Sequence, residues 1–156
     1  MKISSEISGE TKYKTEIAKK YTAFLSQYPE IFSDLVKGSD FDFSLYDSLD
    51  AYDDKSPVDS FNVLRNGQGI AIIAGKASDP DIELALSIKA VEKLIQTDTK
   101  EDYARLLGSF YNEPDEKDGW IDFILYRRTQ TIIDMGYGRF AKTAGILEDE
   151  DAVYSL

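Results

Sequence analysis

The sequence predicts an α-rich α+β domain in which about five helices cover one small β-hairpin near residues 61–74, with an all-α bundle as the alternative. Three observations predict it. Apolar residues recur at offsets of three and four in several separate segments. Asn66-Gly67 stands between two apolar runs, the strongest short-range signal for a hairpin. Pro29, Gly38, Pro80 and Gly136 punctuate these segments at places where helices start or stop. A chain of 156 residues with 42% hydrophobic content is enough for one core, so residues 1–156 are read as a single domain with flexible termini at 1–9 and 145–156.

Tyr13, Ile17, Tyr21, Phe24, Leu25 and Tyr28 mark one face of a first helix, which Pro29 ends. A short helix through Ile31, Phe32, Leu35 and Val36 should follow and stop at Gly38. The acidic segment from Ser39 to Lys55 fits two periods. Phe41, Phe43 and Leu45 alternate as in a strand, while Phe41, Leu45, Leu49 and Tyr52 fit a helix, and the segment is read as a helix or a partly ordered loop. Phe61–Leu64 and Ile70–Ile73 form the expected hairpin; the rival is a helix capped by Ser56 with Pro57 at its first position.

"SDPDIELALSIKAVEKLIQ" reads as one central helix, since Pro80, Asp81 and Glu83 suit its first turn and its apolar residues spread over more than one side. Thr99 with Asp102 caps a further helix bearing Tyr103, Leu106, Leu107 and Phe110. "NEPDEKDG" is a surface loop. From Trp120 onward, Ile121, Ile124, Leu125, Ile132 and Met135 define a last helical face, which contains Arg128 and ends near Gly136.

Composition excludes several chemistries. The chain has no cysteine and no histidine, so Ser-His-Asp and Cys-His nucleophiles and the common zinc sites are absent. No apolar run approaches the roughly 20 residues of a membrane span, and no membrane association is expected. The first residues lack an apolar signal core, which makes the cytoplasm the expected location. "GIAIIAGKA" fails as a phosphate loop, because Ile70 takes the place of the first glycine and Ala77 that of the metal-binding hydroxyl. Asp40, Asp42, Ser44 and Asp47 offer oxygen ligands, yet Leu45 and Ala51 stand where a calcium-binding loop needs glycine and glutamate. No metal site and no cofactor are assigned.

The formal net charge of −11 is unevenly distributed. Acids crowd residues 38–60, 113–118 and 148–151. Residues 119–144 instead carry Arg127, Arg128, Arg139 and Lys142 against Asp122 and Asp134, together with the single tryptophan, Trp120. Arginine beside aromatic surface is a common composition of interface anchors. The expected function is therefore a non-enzymatic, acidic protein-interaction module, an accessory subunit, inhibitor or adaptor. Its candidate partner-binding residues are Trp120, Tyr126, Arg127, Arg128, Tyr137 and Arg139, with no catalytic residue assigned. Two alternatives remain: a subunit of a nucleic-acid-handling complex touching phosphate through Lys/Arg, and a carboxylate-dependent, magnesium-assisted enzyme. The oligomeric state is left open.

Overall fold

The computed structural model describes residues 13–67 and 69–146. Its framework is a five-stranded mixed sheet in the order β3-β2-β1-β4-β5, formed by β1 (Asp40–Tyr46), β2 (Asp59–Asn66), β3 (Gly69–Ala74), β4 (Ile82–Ser87) and β5 (Ile121–Leu125). Strand β1 pairs parallel with β4 and antiparallel with β2; β2–β3 and β4–β5 are antiparallel. Among the described residues six α-helices accompany it: α1 (Glu16–Gln27), α2 (Leu49–Asp53), α3 (Ile88–Leu94), α4 (Lys100–Asn112), α5 (Thr129–Asp134) and α6 (Tyr137–Thr143). A 3₁₀ turn, Pro29–Phe32, follows α1. With 41% of the described residues in helix and 26% in strand, the α-rich expectation and the all-α alternative are both overturned. The expected hairpin is present, but as two strands of five.

Two helices match their sequence signals closely. In α1, the Thr15 hydroxyl caps the Ala18 N–H at 3.2 Å, and Ala18, Tyr21, Phe24 and Leu25 are buried. In α4, the Thr99 hydroxyl accepts from the Asp102 N–H at 3.0 Å. The short helix expected to run to Val36 is only the 3₁₀ turn, and residues 57–66 are loop and strand rather than the rival helix.

Three segments read as helical are strands. In β1 the alternation prevails: Phe41, Phe43 and Leu45 face the helices, while Asp42, Ser44 and Tyr46 line the other side, and both sets are buried. In β4, Ile82, Leu84 and Leu86 alternate with Glu83, Ala85 and Ser87. The helix starts only at Ile88, where the Ser87 hydroxyl caps the Ala90 N–H at 3.2 Å. In β5, Ile121 and Phe123 oppose Leu86 and Leu84 across the ladder, so the supposed helix from Trp120 is an edge strand. Each segment fits both periods locally, and the backbone hydrogen bonds of a neighbouring strand decide between them.

The core lies between the sheet and α1, α3 and α4. Phe43 stacks on Phe61 at 4.8 Å, and Tyr21 meets both rings edge-on at 5.6 Å. The Tyr21 and Tyr103 hydroxyls bond to one another, so neither is left unsatisfied inside. Among the described residues no helix is long and apolar enough to cross a membrane. Residues 1–9 and 147–156, expected to be flexible, lie outside the described residues. Gly145 and Ile146 are described, and the Gly145 carbonyl accepts from Asn112 Nδ2 at 3.0 Å.

Candidate functional site

The sheet's two faces carry two different constellations. On the helix side, α5 and α6 fold back over β1, β4 and β5 next to α4. Two close approaches hold them there. Gly136, with φ of +96°, brings the α5–α6 turn against the Asp34 carbonyl, and the Met135 carbonyl accepts from the Val36 N–H at 2.9 Å. Gly108 lets the α6 end reach α4, because a Cβ there would lie 1.7 Å from the Ala144 carbonyl oxygen.

The backbones are thus held together while the side chains between them leave space. A cavity of about 200 Å³ remains between sheet and helices. Phe41, Phe43, Leu84 and Phe123 form its floor, and Leu107, Ile132 and Phe140 form part of its roof. It opens beside the β5 edge, where Leu125 and Tyr111 are exposed and the Tyr111 and Phe123 rings lie 5.2 Å apart. No charged side chain lines it, and its hydroxyls belong to Tyr103, Tyr111 and Tyr137. Tyr103 is engaged by Tyr21, and Tyr137 donates to Asp81 Oδ2 at 3.4 Å. Burial drives both phenols well above the ordinary tyrosine range, and the Asp81 charge adds to this at Tyr137. The Tyr103 and Tyr137 phenols therefore keep their protons at neutral pH, and these hydroxyls are already committed to Tyr21 and Asp81.

On the opposite face, the side chains of Asp42 and Ser44 on β1 and of Glu83 on β4 are polar and buried. Strand β3 runs parallel to β4, so residues 75–81 must carry the chain across β2 and β1 to reach β4. The crossing is pinned by buried carboxylates. Asp42 Oδ1 accepts from the Ala77 N–H at 3.0 Å and from Asn62 Nδ2 at 2.9 Å. Glu83 accepts from Ser44 Oγ at 2.6 Å and Tyr126 OH at 2.8 Å, and Lys76 Nζ lies 3.0 Å away. Burial raises Asp42, with the Glu83 and Asp40 charges adding to it against the hydrogen bonds from Ala77 and Asn62. Glu83 is also desolvated, yet Ser44, Tyr126 and Lys76 outweigh this and hold it below the usual carboxylate range. The same contact, after desolvation, pushes Tyr126 up to about 12. Both Glu83 oxygens thus have partners, Ser44 and Lys76 at Oε2 and Tyr126 at Oε1, which ties β4 to β1, to the crossing and to the end of β5.

A raised pKa means that the folded state prefers Asp42 protonated. Its contribution is fully present below the unfolded carboxylate range and is lost as pH rises through the folded value. Asp42→Asn keeps an oxygen for Ala77 and Asn62 and abolishes this loss. The variant is expected to melt higher than the parent at pH 8 and to lose that advantage at pH 4, measured by thermal denaturation at both pH values.

The candidate cation ligands are dispersed by the same network. Asn62 Nδ2 bonds both Asp40 and Asp42, Ser44 serves Glu83, and Asp47 lies beyond the strand. Among the described residues no group of three or more carboxylates is placed to hold a metal ion.

The six residues selected from the sequence do not form one patch. Trp120 is buried beside Tyr46 and Tyr52 on the polar face, and its indole N–H has no partner among the described residues. Tyr126 and Arg127 follow β5, with Arg127 Nη1 3.1 Å from Asp79 and its Nε 3.2 Å from Asp81. Tyr137, inside the roof, reaches the same Asp81. Arg128 is exposed just before α5, and Arg139 is exposed on α6. Asp81 therefore gathers Arg127 and Tyr137, while Trp120, Arg128 and Arg139 lie elsewhere. The cavity residues were each legible as core, but nothing in their spacing showed that the core would be incompletely filled. For the carboxylate network the signal was present in "DFDFSLY", where period-two alternation put polar residues on one shared face.

Comparison with protein-family models, with curated proteins and with solved structures gives no match.

Proposed function

We propose that this protein binds a small, apolar molecule in the cavity between its sheet and its C-terminal helices. The observation that carries this reading is the cavity itself, whose walls are almost entirely hydrocarbon in a domain otherwise packed around interlocking aromatic rings. Protein interiors normally fill such space, and an unfilled apolar cavity costs stability that a ligand can recover. The volume of about 200 Å³ exceeds the roughly 150 Å³ of an engineered apolar cavity that takes up benzene. A molecule about the size of a fused two-ring aromatic or a short branched alkyl chain fits this scale. The aromatic floor and the opening beside β5 suit uptake from solution or from a partner's surface.

Titration with a fluorescent apolar dye, followed by displacement with unlabelled hydrocarbons, tests the reading. Ala141, half-buried on the cavity wall, offers a place to fill the space. Ala141→Phe is expected to weaken dye binding by at least about tenfold, the effect of losing some 1.4 kcal/mol, without lowering the melting temperature. Equal dye affinity in parent and variant would show that the dye binds elsewhere and would remove the support for this site.

A second reading keeps the docking role for a smaller patch. Leu125, Tyr126 and Arg128 are exposed in near succession at the end of β5, an aromatic-basic surface of the kind that anchors protein partners. Arg128→Ala is expected to change stability by less than about 0.5 kcal/mol, as for an exposed surface residue, and to weaken a captured protein partner. Stability is read by denaturant titration and affinity by calorimetry. The cytoplasmic location and the nucleic-acid alternative stand beside it as proposals that rest on composition and charge.

A further inference from the structure

The sheet's free edge at β3 has features that the cavity does not use. Strand β3 has the sequence "GIAIIA", without a charge or a proline, and Ile73 is 54% exposed on it. Among the described residues it pairs only with β2. Residues 60–78, which contain it, are the longest stretch of the chain without an acid. Natural edge strands usually carry a charge, a proline or a bulge that prevents another strand from adding; β3 has none of these.

Its hydrogen-bonding groups can be assigned. Gly75 N–H donates to the Ser60 carbonyl at 2.9 Å, and bonded pairs alternate along an antiparallel ladder. Ile73 and Ala71 therefore turn their backbone groups to β2. Ile70, Ile72 and Ala74 turn theirs outward. We propose that this edge is a self-pairing interface, at which β3 of a second copy of the chain adds antiparallel to extend the sheet to ten strands.

The strand is self-complementary in this arrangement. With Ile72 opposite Ile72 of the second copy, Ile70 opposes Ala74, and all three outward residues meet their counterparts in bonded pairs. Ala71 then opposes Ile73 on the polar side, so a small residue faces a large one in every pair but the central Ile72–Ile72. Two copies that each carry a formal charge of −11 meet here along their longest acid-free stretch. The repulsion between the remaining charges opposes the contact, and salt screens it. A single six-residue pairing falls short of the roughly 1,200 Å² buried by stable interfaces, so the dimer is a weak, concentration-dependent one. The cavity mouths beside β5 lie at the two far ends of the joined sheet, away from the contact.

The register gives a direct test, because the chain contains no cysteine. Directly opposed residues of a non-bonded pair have Cα atoms about 4.5 Å apart, within the range a disulfide spans. Ala71→Cys/Ile73→Cys in the full chain is expected to give a covalent dimer under mild oxidation. Each single variant should give none, since identical positions are then more than about 7 Å apart. Sedimentation equilibrium of the parent should show the mass rising toward twice the monomer's with concentration, more so in added salt. Ile73→Lys, at an exposed position, should return the mass to that of a monomer while leaving its circular dichroism unchanged. A monomer mass at every concentration and salt level would overturn the proposal. Cross-linking by the single variants as efficiently as by the double one would overturn the register.

Discussion

Gly108→Ala is expected to destabilise the protein by about 3 kcal/mol, a cost of the order seen for overpacking a closed contact. From the sequence alone the opposite sign follows, since alanine is worth about 1 kcal/mol more than glycine inside a helix. Gly108 lies within α4, where no unusual backbone conformation requires glycine. What requires it is the carbonyl of Ala144, which a Cβ would meet at 1.7 Å, with the carbonyl carbon at 2.7 Å. Both neighbours are backbone, so relief demands that the end of α6 move away from α4. That movement would also displace Phe140 and Ala141 from the cavity wall. Denaturant titration reads the stability, and dye titration reads the cavity. A stabilised Gly108→Ala with unaltered dye binding would show that α6 does not rest on α4.

Glu83→Ala is expected to cost about 2–3 kcal/mol at pH 7, the range for removing one member of a buried, hydrogen-bonded network. Ser44 and Tyr126 lose their acceptor and Lys76 its counter-ion, and the residue is 4% exposed, so the space left is not simply filled by solvent. Two effects moderate the loss. The Lys76 ammonium, 45% exposed, can return to water, and Asp42 is relieved of a like charge. The pH dependence has a definite sign. Because the folded protein holds Glu83 below its ordinary range, its ionised form stabilises the fold above the unfolded carboxylate pKa, and this contribution is lost as pH falls through the folded value. The gap between parent and variant should therefore narrow in acid. Thermal melts from pH 7 down to about pH 3 check this, and a gap that widens in acid would contradict the assigned network.

The network and the cavity were legible in the sequence to different degrees. Asp42 and Ser44 stood out as polar residues alternating with Phe41, Phe43 and Leu45, yet an acidic, polar stripe in so charged a chain reads first as solvated surface. Only the crossing at residues 75–81 turned that stripe inward. The helix expected from Trp120 placed Arg127 and Arg128 on neighbouring faces of one element. As the end of an edge strand, the same residues separate, with Arg127 drawn to Asp79 and Asp81 and Arg128 left in solvent.

By itself the sequence determined the features whose causes are local. The amphipathic stripe of α1, the Thr99 cap of α4 and the Asn66-Gly67 hairpin each depend on residues within a few positions of one another. The lack of histidine and cysteine likewise removed whole classes of chemistry. The tertiary structure decided everything that depends on a distant partner. Segments 40–46, 82–87 and 121–125 satisfy a helical and an extended period alike, and they became strands because each found another strand's backbone to bond. The cavity is still less local, since its walls come from strands, from α4 and from the C-terminal helices. Its existence depends on how closely Gly108 and Gly136 let those backbones approach while the side chains between them fail to meet. A hydrophobic pattern specifies which residues leave water, but the volume they fail to fill is set only when the elements are packed together.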